Sequence, residues 1–391
     1  VATNLPLKED DFPAIATAAK QHRIDLVVVG PETPLAAGIV DELSARDIRV
    51  FGPTKAAARI EASKAFAKEL MARGAVQTPR SRTFTDEAEA LRYVATHREP
   101  LVVKASGLAG GKGAIVCQNR REAETAVREM FAGKFGAAGR EVLVEEFIEG
   151  EEISLLFLTD GVEACAFPPA QDHKRLGEGD TGPNTGGMGA YTPVSFVDEF
   201  MIERAATAIV RPVLSALAES TAPYRGVLYV GLMVTPDLEL YVLEFNCRFG
   251  DPEAQVVLPA ISADLAEQMW RIAAGEKWRP VAPTFKAARA AVATVLAARG
   301  YPEAPQKGAV IELPDRLPDN TLIFHAGTSR DPDGSLRVAG GRVLNAVGMG
   351  ADVLKAAEAS RDLADRIRFE GKTYRRDIAW RELRRAGAPR S

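Results

Sequence analysis

A multidomain chain of mixed α/β and α+β class is predicted, on three observations. Between residues 11 and 61, short apolar β-branched runs alternate with helical patterns, which implies a doubly wound parallel sheet. Around residues 101–117 a glycine-rich loop lies between two apolar strands, with a helix and another strand behind it, and this describes a small α+β lobe. From about residue 284 the pattern changes again, to strands and one long amphipathic helix, a second α+β unit. The expected division is 1–79, 80–149, 150–283 and 284–391, and 391 residues suffice for several domains with buried cores.

Taken in order, "DLVVVG" (25–30) reads as a strand covered on both faces, ended by Gly30-Pro31. "LAAGIVDELSAR" has helical spacing and "IRVFG" is the next strand. Ligands of parallel sheets bind just beyond the carboxyl ends of strands, which marks Gly30, Pro31, Glu32 and Thr33. The helix "SKAFAKELMARG" is stopped by Gly74 and Pro79. Residues 172–193 show no hydrophobic periodicity and read as a long functional loop. "AARAAVATVLAARGYP" is ambiguous, because its alanines favour helix and its β-branched residues strand. "LRVAGGRVLNAVG" reads as a hairpin with a Gly-Gly turn, and "GADVLKAAEASRDLADRI" as an amphipathic helix.

Composition excludes several function classes. A net charge of −4, with 26% charged and 46% hydrophobic residues, carries no basic footprint for nucleic acid or anionic membrane. No apolar run approaches a membrane span of about 20 residues, and no signal-peptide pattern opens the chain. A cytoplasmic monomer acting on small molecules, without nucleic-acid or membrane partners, is expected. Cys117, Cys165 and Cys247 are too few and scattered for a disulfide framework or a zinc cluster.

The loop "KASGLAGGKG" (104–113) is not a P-loop: only three residues separate Gly107 from Gly111, no Ser or Thr follows Lys112, and a strand rather than a helix comes next. A dinucleotide fingerprint fails for the same want of a helix. What remains is a glycine-rich hairpin whose amides, at Gly107, Gly110, Gly111, Lys112 and Gly113, can close over phosphates; a plain turn is the alternative. Lys104, on an otherwise apolar strand, favours the phosphate reading. In "LELYVLEFN" a period of two puts Tyr241, Leu243 and Phe245 on one face and Val242, Glu244 and Asn246 on the other, so that a carboxylate and an amide oxygen project together as hard ligands for Mg²⁺. Arg248, Asp251 and Glu253 follow in a glycine-containing bend. "VLVEEFIEGEEIS" reads as strand, short connection and strand. It suits an adenine hinge at Glu145, Glu146, Phe147 and Ile148, with Glu152 placed for ribose hydroxyls; acidic residues solvating a hairpin are the alternative.

Together, "GPETPL", "FGPT", "SKAF", "KASGLAGGKG", "EEFIEGEEIS", "QDHKR", "DTGPNTGGMGAY", "EFNCRFGDPE", "FHAGT", "GGRVL" and "RRDIAWREL" resemble, in this order, the ATP-grasp superfamily and more narrowly the phosphoribosylamine–glycine ligases of purine biosynthesis. The resemblance covers essentially the whole chain. It implies an ATP-grasp fold in which ATP lies between a mobile lid lobe and a central domain, after an N-terminal Rossmann-like domain and before a C-terminal domain. It also implies ATP-dependent ligation of glycine to 5-phosphoribosylamine through glycyl phosphate, with Mg²⁺ or Mn²⁺. Glu244 and Asn246 match metal positions, and Lys104 and Lys64 nucleotide contacts. Arg248, with Lys104, is the catalytic candidate. The resemblance adds Asp172, Lys174, Arg175, Asn184, Thr185, Gly186, Gly187, Arg248 and Asp251 to Gly30, Pro31 and Glu32 as substrate positions.

Two departures accompany it. The family opens with a strand and a "GGREHA"-type loop that this chain lacks, so the first strand-loop-helix unit, and part of the phosphoribosyl phosphate site, are expected to be missing. "GVLYVGLMV" offers no further metal carboxylate. The rival readings are another ATP-grasp ligase or carboxylase, such as biotin carboxylase, and a nucleotide-binding protein with a decayed site.

Overall fold

The computed structural model describes residues 3–220, 223–280 and 282–387. In the N-terminal part, Asp11 caps the helix Phe12–Gln21 through the amide of Ala14, and the strand Val27–Val28 pairs in parallel with Val50–Phe51. The parallel pairing is as expected; full coverage is not. Val28 has a single neighbouring strand and is 44% exposed. Leu35, Leu43, Ala57 and Ile60 form the core beneath.

The lid lobe is an antiparallel sheet in the order Ser81–Phe84, Val142–Glu146, Leu101–Ala105, Ala114–Cys117. The helices Glu87–Thr96 and Arg120–Phe131, capped by Asp86 and Asn119, cover it. Ala123, Val127 and Met130, at helical spacing, bury against Val103, Val142 and Val144 in one closed core. Each such aliphatic burial contributes about 1.5–3 kcal/mol.

A second antiparallel sheet, Leu240–Asn246, Gly226–Val234, Glu151–Thr159, Ala164–Ala166, forms the floor. Val142–Glu146 and Glu151–Thr159 therefore belong to different sheets, and residues 147–150 connect the two sheets rather than turning a hairpin. A third sheet has the order Thr321–His325, Arg342–Gly350, Ala290–Ala297, Gly189–Thr192, Gln171–Asp172. The ambiguous alanine-rich segment is its fully buried central strand, so burial on both faces decided against a helix.

Two expectations need correction. Residues 172–193 are not a structureless loop: Arg175–Gly177 pairs with Thr181–Asn184, while Gln171–Asp172 and Gly189–Thr192 join the C-terminal sheet. Their strands are too short for a periodic signal. "LRVAGGRVLNAVG" is not a hairpin either. Leu336–Val338 pairs with Thr328–Arg330, whereas Arg342–Gly350 pairs with Ala290–Ala297 and Thr321–His325. Gly340 and Gly341 are there for close approach: a Cβ on Gly340 would lie 3.0 Å from Gly327 Cα, and one on Gly341 2.4 Å from the Tyr301 ring.

Candidate active site

The strand Leu240–Asn246 places the proposed metal pair. Its alternation is broken by a bulge: Glu244 pairs with Gly231 and Val242 with Leu232, leaving Leu243 as an extra residue. Val242 and Phe245 consequently share the core, where strict alternation put them on opposite faces. Glu244 and Asn246 lie beyond the bulge and still face one cavity together. The carbonyl of the bulged Leu243 accepts from Lys104 Nζ at 3.0 Å.

Glu61, from the helix Lys55–Ala62, fixes this end of the strand. It accepts from Asn246 Nδ2 at 2.9 Å, from the Cys247 amide at 2.7 Å and from Arg248 at 3.0 Å. A carboxylate accepts, so the Asn246 nitrogen faces Glu61 and its oxygen remains available to a cation. Arg248 also donates to Glu32 at 3.0 Å, tying the strand end to the N-terminal part. Burial alone would raise the Glu244 carboxyl, but Lys174, Lys64 and Lys104 hold it below the usual range. An ionised carboxylate beside an oriented amide oxygen fits a hard divalent cation, with open cavity left for phosphate oxygens and water. Among the described residues no group of three or more His, Cys, Asp or Glu could hold a metal, so the fit rests on this Glu–Asn pair.

The nucleotide end is built around Glu145, which is nearly fully buried. Lys104 pairs with it at 2.7 Å and Lys68 at 2.9 Å. Burial pushes Glu145 up, and the two ammonium groups more than reverse the shift, holding it below the carboxylate range. Burial likewise opposes the charge on Lys104, yet Glu145 raises it above an ordinary lysine. Lys68 is lowered by its own burial. Lys64, in the first turn of the Ser63-capped helix Lys64–Arg73, is also lowered by burial, with Glu244 opposing. Lys64 and Lys68 line one cavity, and Lys104 stands behind its wall, paired to Glu145.

The glycine loop is the hairpin expected, with Lys104 opposite Ala114. Gly110 and Gly111 take φ of 58° and 74°, and a Cβ on Gly107 would lie 2.7 Å from Ala138 Cα. The tip crosses the cavity, and a Cβ on Gly111 would lie 3.8 Å from Gly186 Cα. Gly110, Gly111 and Gly113 line the cavity, whereas the Lys112 ammonium turns to Pro302 O at 3.3 Å.

The far end holds Asp172, Lys174, Thr185, Gly186 and Asp251. Lys174 pairs with Glu152 at 2.8 Å and Asp172 at 3.1 Å. Burial raises the Glu152 carboxyl against the pull of Lys174.

Several expected residues lie aside. Gly30, Pro31, Gly187, Phe147 and Ile148 do not line the cavity, and the Glu146 side chain is held by Arg80 at the surface. Arg175 folds back onto Gly182 O at 2.7 Å, and Asn184 is its strand partner. Sequence reasoning missed Glu61, Lys68, Tyr229 and Ser154, and named Glu253 without a role. Glu253 accepts from Tyr229 at 2.9 Å and Ser154 at 3.1 Å, and burial raises its carboxyl. Glu61 carried no local signal, since a glutamate in the helical "ARIEAS" reads as a surface charge.

Comparison with known proteins decides the family. Residues 1–61 match the phosphoribosylglycinamide synthetase N domain, 62–254 its ATP-grasp (A) domain and 291–381 its C domain. The chain belongs to the phosphoribosylglycinamide synthetase family. Among members of this family, phosphoribosylamine–glycine ligase of Mesorhizobium japonicum is 46% identical over 97% of this chain and 88% of its own. The Nostoc ligase is 43% identical over 97% and 89%. The solved phosphoribosylamine–glycine ligase of Thermotoga maritima superposes with a TM-score of 0.77 at 36% identity, covering 84% of this chain and 82% of that one. A biotin carboxylase–β,γ-ATP complex from Campylobacter jejuni shares the fold alone, at 18% identity and a TM-score of 0.72 over 93% and 80% of the two chains. The phosphoribosylglycinamide synthetase fold is thus ATP-grasp, as the sequence implied, and the carboxylases are related to it by architecture.

Proposed function

We propose that the protein ligates glycine to 5-phosphoribosylamine, consuming ATP and releasing glycinamide ribonucleotide, ADP and phosphate. The observation that carries this is the match of all three family domains, N, A and C, by a chain whose Lys64, Glu145, Glu244 and Asn246 meet around one cavity, with Lys104 paired to Glu145 behind it.

A carboxylate resists attack by an amine because its leaving group would be oxide. Transfer of the γ-phosphoryl to glycine makes glycyl phosphate, and attack by the amine of phosphoribosylamine then expels phosphate. The residues act chiefly by alignment and charge neutralisation. Backbone groups from Glu145 to Ile148, beside the cavity that Glu145 lines, receive adenine, Lys64 faces the phosphates with Lys104 behind it, and the amides of Gly110, Gly111 and Gly113 close over them. Glu244 and Asn246 would hold Mg²⁺ or Mn²⁺, which supplies charge neutralisation between the phosphates when bound. Arg248, fixed by Glu61 and Glu32, holds the carboxylate or the phosphoryl in transit. The reading includes action as a cytoplasmic monomer without nucleic-acid or membrane partners. The acidic net charge supports it, and among the described residues no helix is long and apolar enough to cross a membrane.

The test is ADP formation with Mg-ATP, with and without glycine and phosphoribosylamine. Release that needs glycine, and product that needs both, is expected. Bicarbonate-dependent turnover without glycine would reject the ligase in favour of a carboxylase.

A further inference from the structure

Arg342 belongs to the C-terminal sheet, yet its hydrogen bonds go to the cavity wall. Nη1 donates to Gly186 O at 2.7 Å and Asp251 O at 2.8 Å, and Nη2 to Asp251 Oδ2 at 2.9 Å. Tyr301, from the same part of the chain, accepts from the Gly186 amide at 3.0 Å. Both backbone groups of Gly186 are therefore held from outside the ATP-grasp lobes. The approach is close, since a Cβ on Gly186 would sit 3.2 Å from the guanidinium carbon of Arg342. The lid tip at Gly111 meets the same residue.

We propose that Arg342, assisted by Tyr301, is a positioning residue for the glycine subsite. It bridges two stretches, at Gly186 and Asp251, that are distant in sequence and form adjacent parts of one wall. This rests on the ligase reading above. The choice among the three substrates follows from charge. The nucleotide end of the cavity is cationic, around Lys68 and Lys104. The end that Arg342 organises places Lys174 beside Asp172 and Glu152, with Asp251 and Glu253 close by in the same cavity. One ammonium among several acids matches a small zwitterion, whose carboxylate meets Lys174, leaving Arg248 to the phosphoryl, and whose ammonium meets the acids. A phosphate dianion would be repelled there. The guanidinium suits the task because its planar fork reaches two carbonyls and a carboxylate at once, which a lysine ammonium does with less directional control.

The experiment compares steady-state constants of Arg342→Met, Arg342→Lys and Tyr301→Phe with the parent, varying each substrate separately. Loss of such a bridge is expected to raise the KM for glycine about tenfold in Arg342→Met, with KM for ATP and phosphoribosylamine within a factor of about two. Arg342→Lys recovers part of the loss, and Tyr301→Phe, which removes one bond, shows a smaller rise in the same constant. An unchanged KM for glycine, a rise confined to phosphoribosylamine, or equal rises in all three with a lowered melting temperature would each overturn the proposal. A parent that makes no ADP in response to glycine would remove the ligase reading itself and this inference with it.

Discussion

Glu61 and Arg248 meet at 3.0 Å across 187 residues of sequence, and the same carboxylate oxygen holds the amide of Asn246. One buried acid thus orients both a metal-ligand candidate and the arginine at the reacting end. Burial raises the Glu61 carboxyl even though Arg248 stands beside it, so the site keeps a costly group in place for the geometry it imposes.

Glu61→Gln can still accept from Asn246 and Arg248 through its one oxygen but then sets an NH2 against the Cys247 amide, so it cannot satisfy all three donors together. Turnover is expected to fall on the order of tenfold to a hundredfold, with a higher Mg²⁺ concentration needed for half-maximal rate. A magnesium titration of ADP release checks this, and an unchanged midpoint would detach Glu61 from the metal pair.

Glu244→Gln and Asn246→Leu test the metal pair directly. Both should fold and lose on the order of a hundredfold or more in kcat, since one oxygen donor each is removed from where phosphate charge must be neutralised. Circular dichroism alongside kinetics at saturating Mg²⁺ separates folding from chemistry. Turnover within a few-fold of the parent would show that the strand holds no metal.

The glycine hairpin has few side-chain contacts near its tip, where a Cβ on Gly110 would meet nothing within 4 Å. Amide hydrogen exchange across Gly107–Gly113 should be fast in the free protein and slow markedly with Mg-ATP. Exchange that ignores the nucleotide would reduce the loop to a plain turn.

The Arg375–Asp180 pair lends itself to a pH test. Burial alone would raise the Asp180 carboxyl, but His173 at 3.8 Å, Arg375 at 2.9 Å and Arg381 hold it well below its ordinary value. A depressed folded-state pKa contributes stability that is complete above the unfolded value of about 3.9 and is lost as pH falls through the folded value. Asp180→Asn should therefore destabilise on the order of 1 kcal/mol at pH 7, discounted for partial exposure, and by progressively less below about pH 4. Urea melts at pH 7 and pH 3.5 read the difference. A gap that widens in acid would contradict the assigned sign.

Much of the site was legible because local spacing carried it. Glu244 and Asn246 stay on one face although Leu243 bulges, since both lie on the same side of the extra residue. Lys104 announced itself as a lysine on an apolar strand. Glu61 did not, because its partners are far along the chain and a glutamate in "ARIEAS" looks like any helical surface charge. The Gly-Gly pair at 340–341 misled for a related reason. A turn and a close approach both demand glycine, and only the position of Gly327 and Tyr301 tells them apart. Residues 172–193 concealed short strands, of which Gly189–Thr192 finds a partner only in Ala290–Ala297.

That last pairing also sets an order of assembly on the ribosome. The lid sheet closes within residues 81–146 and can complete as soon as it emerges. Gly189–Thr192 must wait for Ala290–Ala297, and that strand for Arg342–Gly350. During synthesis the sheet that carries the glycine hairpin is finished long before the wall that faces it.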